Sequence, residues 1–99
     1  MAEGEIVMAT LTETDIRRQI KDYLAYRQWF CFHVLQGLGS YRGIPDLVAV
    51  KNGRVLFIEL KKPRGRQSEH QKKFQSDLEA AGGEYILCRG IDDLMERGI

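Results

Sequence analysis

Two cysteines, Cys31 and Cys88, are the whole thiol inventory of the 99 residues. They lie far apart, which excludes a disulfide framework and the short spacings of a zinc site. No apolar run approaches the roughly 18 residues of a membrane span; the longest strand-like blocks are 47–50 and 55–58. The opening Met1-Ala-Glu-Gly-Glu5 is acidic and lacks the basic-then-apolar layout of a secretory signal. An intracellular, reduced protein is the expectation. Internal repeats and low-complexity segments are missing too, and with 43% hydrophobic and 29% charged residues the chain reads as one globular domain.

Net charge is also nearly absent, at +1, until it is divided along the chain. Residues 61–73 carry Lys61, Lys62, Arg64, Arg66, Lys72 and Lys73 against Glu69 alone. Residues 1–15 carry Glu3, Glu5, Glu13 and Asp15 and no cation. A basic block of that density suits an anionic partner such as nucleic acid; a solvated face beside a helix start is the plainer alternative.

Residues 1–10 show no periodicity and are expected to form a loose arm or a short edge segment, with an N-terminal arm over 1–11 and the domain proper over 12–99. From Glu13, the spacing of Ile16, Ile20 and Leu24 predicts a helix capped by Thr10 or Thr12. Trp29 to Leu35 reads as a buried strand, with Trp29, Phe30, Cys31, Phe32 and later Cys88 in the core and His33 packed or half-buried. Gly37, Gly39 and Gly43 mark a loop holding Ser40, Tyr41 and Arg42. Two strand patterns, 46–51 and 54–61, flank Asn52-Gly53, the residue pair favoured in two-residue hairpin turns. Ser68-Glu-His-Gln71 is a capping box that opens a helix to about Ala81, ended by Gly82-Gly83. A strand at 84–89 and a short helix at 91–96 complete an α-β-β-β-α-β-α order, an α/β sheet of two or three layers.

With Asn52-Gly53 as the turn, residues whose numbers sum to 105 face each other, which pairs Asp46 with Glu59. Strand alternation puts Lys61 on the same face and Ile58 and Leu60 on the other. Two opposed carboxylates repel. A divalent cation held by their oxygens would remove that cost, and carboxylates suit Mg²⁺. Solvated strand ends screened by Lys61, or a bulge that slips the register, are the alternatives.

Pro45-Asp46 followed by Glu59-Leu60-Lys61 resembles the signature of the PD-(D/E)xK nuclease superfamily. The wider set is Gly43-Ile-Pro-Asp46, a hairpin, Ile58-Glu-Leu-Lys61, a Gly-Arg basic loop, Ser68-x-x-Gln71 and a helix ending at Gly82-Gly83. This set, over about residues 12–93, resembles the stand-alone VRR-NUC domain of viruses and bacteria.

The resemblance implies a single restriction-endonuclease-like α/β domain, an αβββαβ core with a mixed central sheet flanked by helices. It implies a Mg²⁺- or Mn²⁺-dependent endonuclease acting on DNA, with branched or four-way junctions as substrate. Asp46 and Glu59 would be the principal metal ligands, joined by the carbonyl of Leu60 and by Glu13. Lys61 would orient or deprotonate the attacking water. Gln71 matches a family glutamine, although its place in the capping box accounts for it equally. Lys62, Arg64, Arg66, Lys72 and Lys73 would contact phosphates, with Tyr41 and Arg42 near the cut. Symmetric cutting of a four-way junction needs two active sites, which a C2 homodimer supplies. A monomeric flap, nicking or general duplex nuclease, or a non-catalytic DNA-binding module, remain open. The expected setting is the cytoplasm of a bacterial or phage-infected cell.

Overall fold

The apolar stripe Ile16, Ile20, Leu24 recurs every four residues, so one side of the first helix must be buried. A computed structural model of the chain describes residues 11–37 and 39–99. The expected arm, except Leu11, lies outside those residues, as do Thr10, Glu3 and Glu5. Helix α1 spans Glu13–Tyr26 and buries that stripe. Its cap is Thr12, whose hydroxyl accepts from the Asp15 amide while the Asp15 carboxylate accepts from the Thr12 amide. This reciprocal box satisfies two amide donors that the first turn cannot satisfy itself.

Four strands follow: β1 Phe30–His33, β2 Leu47–Lys51, β3 Arg54–Leu60 and β4 Glu84–Cys88. Helix α2, Glu69–Ala80, connects β3 to β4, and α3, Ile91–Met95, follows β4. The sheet runs β1-β2-β3-β4, antiparallel except for the parallel β3–β4 pair. Parallel neighbours require a crossover, which α2 provides. Asn52 and Gly53 have φ of 50° and 82°, the two positive values of a type I′ turn. The β2–β3 register is Leu47↔Ile58 through Lys51↔Arg54, with no bulge. The mixed α/β architecture matches the expected one.

Alternation sorts the side chains into two layers. Leu47, Ala49, Leu56, Ile58, Leu60, Ile86 and Cys88 face α1 and α3 and form the core with Ile16, Ile20, Leu24 and Leu94. On the other face Phe74 of α2 packs on Phe57 and Tyr85, at ring-centroid distances of 5.9 and 6.3 Å. Helix α2 therefore stands over β3 and β4 on that face; Val48 of β2 is buried beside them, whereas the β1 side chains lie beyond the helix.

That placement corrects the reading of β1 as a buried strand. Phe30 and Phe32 are 68% and 42% exposed, stacked on each other at 5.5 Å, with Val55 at 40% in the same uncovered zone. Cys31 is only half-buried. His33 is exposed, with Nε2 2.8 Å from the Lys21 Nζ. Trp29 and Cys88 are buried as expected.

Gly43 joins the glycine loop to the start of α2. Its φ is +79°, and a Cβ there would overlap the His70 carbonyl and the Gln71 amide. Both the backbone conformation and the close approach demand glycine. Gly43→Ala is expected to destabilise the fold by about 2 kcal/mol or more and to push Gln71 away from the sheet. Urea denaturation checks the first effect; an unchanged midpoint would remove the claim of close contact.

Candidate active site

The hairpin register ends at Leu47↔Ile58, and one step further along both chains it sets Asp46 across from Glu59, at the end of the sheet nearest the basic loop. Asp46 directly precedes β2, and its Oδ2 accepts the Leu60 amide at 2.8 Å. The N–H and C=O of one strand residue point the same way, so the Leu60 carbonyl also faces the Asp46 side. The Asp46 carbonyl accepts from the Val34 amide at 2.9 Å, tying the end of β1 to the same point.

Glu59 is the buried charged residue of the described core, 2% exposed. It does not sit at a solvated strand end. Its Oε2 accepts from Gln71 Nε2 at 3.0 Å and lies 3.7 Å from Lys61 Nζ. Its Oε1 is buried with no hydrogen-bond partner. Burial raises its pKa first, and the neighbouring Asp46 carboxylate and the more distant Glu13 charge push the same way. Lys61 opposes them, and the result is about 8. The repulsion expected between opposed carboxylates thus shows as a shift of Glu59 toward its protonated form.

Gln71 does both things its position suggested. Its Oε1 accepts from the Ser68 amide at 2.8 Å, completing the capping box with Ser68, whose hydroxyl accepts from the Gln71 amide. An amide N–H can only donate, so the Gln71 oxygen must face it and the NH₂ must face Glu59. One side chain caps α2 and holds the buried carboxylate.

Asp46, Glu59, Lys61 and Gln71 therefore converge. Glu13 does not join the acidic pair. It stands half-exposed at the first turn of α1, 3.7 Å from Arg17, beside an open recess of about 470 Å³ lined also by Lys61, Lys62, Arg64 and Arg66. Among the described residues no three His, Cys, Asp or Glu side chains gather into a metal-binding group. The donor set still fits a divalent cation: two carboxylates, a carbonyl aimed alike, and one buried oxygen without a partner. Mg²⁺ keeps several waters and needs only one or two carboxylates from the protein.

Lys62, Arg64 and Arg66 are exposed on a loop whose shape is pinned from behind. Arg89 Nη2 donates to the Gly65 carbonyl at 2.8 Å, and the Lys61 amide donates to the Cys88 carbonyl at 3.0 Å. Lys72 and Lys73 are partly spent locally, on Glu69 at 3.4 Å and Asp77 at 2.6 Å. Tyr41 donates its hydroxyl to Asp77 at 3.0 Å, and Arg42 lies 3.4 Å from His70 Nε2. The roles of Arg89 and His70 escaped the sequence reading, because no local pattern reports a contact 24 or 28 residues away.

Comparison with known proteins decides the family. The model of the VRR-NUC domain matches residues 8–92. The chain belongs to the VRR-NUC family. Its fold is that of the PD-(D/E)xK nucleases. A solved VRR-NUC domain superposes with a TM-score of 0.75 over 85% of this chain and 94% of that one, at 19% identity, a likeness of fold. A curated relative, "Putative nuclease p44" of Acyrthosiphon pisum secondary endosymbiont phage 1, is 36% identical over 52 residues. That match covers 52% of this chain and 56% of the relative, so the chain matches little more than half the relative's length. The VRR-NUC match runs from before α1 into α3, so it takes in Glu13, Asp46, Glu59, Lys61 and Gln71 together.

Proposed function

We propose that this VRR-NUC domain is a Mg²⁺- or Mn²⁺-dependent DNA endonuclease that resolves four-way junctions as a homodimer. The observation that carries the reading is Asp46 set beside the buried Glu59, whose Oε1 has no hydrogen-bond partner and whose Oε2 lies 3.7 Å from Lys61. Asp46, Glu59 and the Leu60 carbonyl would hold the cation, with Glu13 at the rim within reach of its waters. A bound cation supplies Lewis acidity at the scissile phosphate and lowers the pKa of a bound water.

The chain's own groups do the rest. Gln71 fixes the rotamer of Glu59. Lys61, 18% exposed in its side chain, is held between the acid pair and solvent, where its ammonium can orient the attacking water and offset phosphate charge. Lys62, Arg64 and Arg66 grip the backbone without reading sequence. Among the described residues no helix is long and apolar enough to cross a membrane.

The homodimer reading draws support from β1. It is an edge strand of the described sheet, and antiparallel pairing of two copies about a twofold axis is self-complementary. Phe30 and Phe32 would then be covered by their counterparts. Phe30→Ser with Phe32→Ser is expected to convert the dimer to monomer in analytical ultracentrifugation at micromolar concentration. A wild-type chain that is already monomeric and active on junctions would overturn the dimer.

The central test is cleavage of an end-labelled four-way junction in Mg²⁺ and in Mn²⁺, against matched linear duplex. Paired symmetric cuts are expected. Equal cutting of every DNA would remove the junction preference, and binding without cleavage would favour a DNA-binding module.

A further inference from the structure

A groove of about 490 Å³ opens between the glycine loop and the first turn of α2. Its working residues are Gln36, Ser40, Tyr41, Arg42, His70 and Gln71. It meets the acid pair through Gln71, whose NH₂ holds Glu59. An exposed ring in the groove can stack only on a base that has left the duplex stack.

The walls are built before any ligand arrives. Ser40 Oγ donates to the Gly37 carbonyl at 2.8 Å and accepts from the Gly37 amide at 3.0 Å. Gln36 Nε2 donates to the Ile44 carbonyl at 2.9 Å. The backbone of Gly43 presses on that of His70 and Gln71 and closes the floor. The Tyr41 ring is fixed at both ends of its outline, edge-on to Phe74 at 5.6 Å and by its hydroxyl on Asp77, yet remains 52% exposed. Arg42 and His70 stand side by side at 3.4 Å.

A rigid exposed aromatic beside a cation and an imidazole, lining one groove, is the chemistry of single-stranded nucleic acid. A base stacks on the ring and the guanidinium takes the neighbouring phosphate. We propose that this groove binds an unpaired nucleotide of the strand that leaves the duplex beside the cut, with Tyr41 as stacking platform and Arg42 and His70 as phosphate contacts. The inference rests on the nuclease reading, and the unpaired nucleotide it names arises in a four-way junction where the base pairs at the crossover open.

The test is binding, in EDTA, of a duplex with a short single-stranded tail against the same duplex with blunt ends. The probe carries 2-aminopurine at the first unpaired position. Wild type is expected to bind the tailed DNA about tenfold more tightly and to quench the probe by stacking. Tyr41→Phe should keep the quenching and Tyr41→Ala lose it. Arg42→Ala with His70→Ala, both exposed positions that leave the Tyr41–Phe74 packing intact, should erase most of the tail preference and reduce the salt slope by about one. Equal affinity of wild type for tailed and blunt DNA would overturn the proposal, as would tail preference and quenching that survive both sets of changes. Because binding is read in EDTA, a chain that never cleaves still reports on the groove, so loss of the nuclease reading and loss of this one are separate results.

Discussion

Lys61→Ala and Asp46→Asn are each expected to slow cleavage by about 10³-fold while DNA affinity stays within about threefold of wild type. Lys61 is the ammonium 3.7 Å from the Glu59 carboxylate, and Asp46 is the partner carboxylate across the hairpin. Neither belongs to the exposed loop of Lys62, Arg64 and Arg66 that would hold the backbone. Asn at position 46 can still accept the Leu60 amide through its carbonyl oxygen, so the hairpin end keeps its hydrogen bond. It loses the charge that a divalent cation needs. Single-turnover cleavage alongside fluorescence anisotropy separates the two quantities. A Lys61→Ala protein that cuts as fast as wild type would remove the assignment of the active site. Arg64→Ala with Arg66→Ala should show the converse pattern, weaker binding with a flatter salt dependence.

The second large effect concerns Glu59 and pH. In the unfolded chain this carboxyl titrates near its ordinary 4.5, whereas in the fold its pKa is raised to about 8. Between those values the native state holds a proton that the unfolded state has released. Stability therefore falls as pH rises through about 4.5 to 8, and the stabilisation present in acid is gone above that window. At about 1.4 kcal/mol for each pH unit, the window is worth several kcal/mol. Glu59→Gln mimics the protonated acid: its oxygen can accept from Gln71 and its NH₂ can donate toward Asp46. The variant should match wild type near pH 4.5, exceed it in stability at pH 9, and be inactive as a nuclease.

Urea denaturation in EDTA at the two pH values reads the difference. Mg²⁺ should restore wild-type stability at pH 9, by giving the ionised pair a counter-charge, and do little for the variant. Parallel stability–pH curves for the two proteins would show that Glu59 does not carry the linkage. A variant that gains at pH 9 while Mg²⁺ leaves wild type unchanged would keep the buried proton and remove the cation.

The sequence by itself determined the local grammar of this protein and, through it, the central pair of the site. Asn52-Gly53 admits the type I′ turn, that turn sets the register, and the register places Asp46 opposite Glu59 with Lys61 on their face. Thr12–Asp15 and Ser68–Gln71 start two helices by interactions three residues long. The four-residue recurrence of Ile16, Ile20 and Leu24 buries one side of α1. All of these depend on neighbours in the chain, so a pattern of residues is enough to read them.

Only the tertiary structure decided the rest. Phe30 and Phe32 look like core by composition, yet burial depends on what stands over a strand, and α2 covers β3 and β4 instead. Glu59 looks like a strand-end charge, yet layers packed on both faces of the sheet exclude water there and raise its pKa. Gln71 could have capped a helix or served the site. Gly43 brings the first turn of α2 so close to the hairpin that one amide does both. Arg89 reaches Gly65, and Arg42 meets His70, across segments whose separation no local pattern encodes. Such contacts follow from how helices and sheet are stacked, a property of the whole packed chain rather than of any stretch of it.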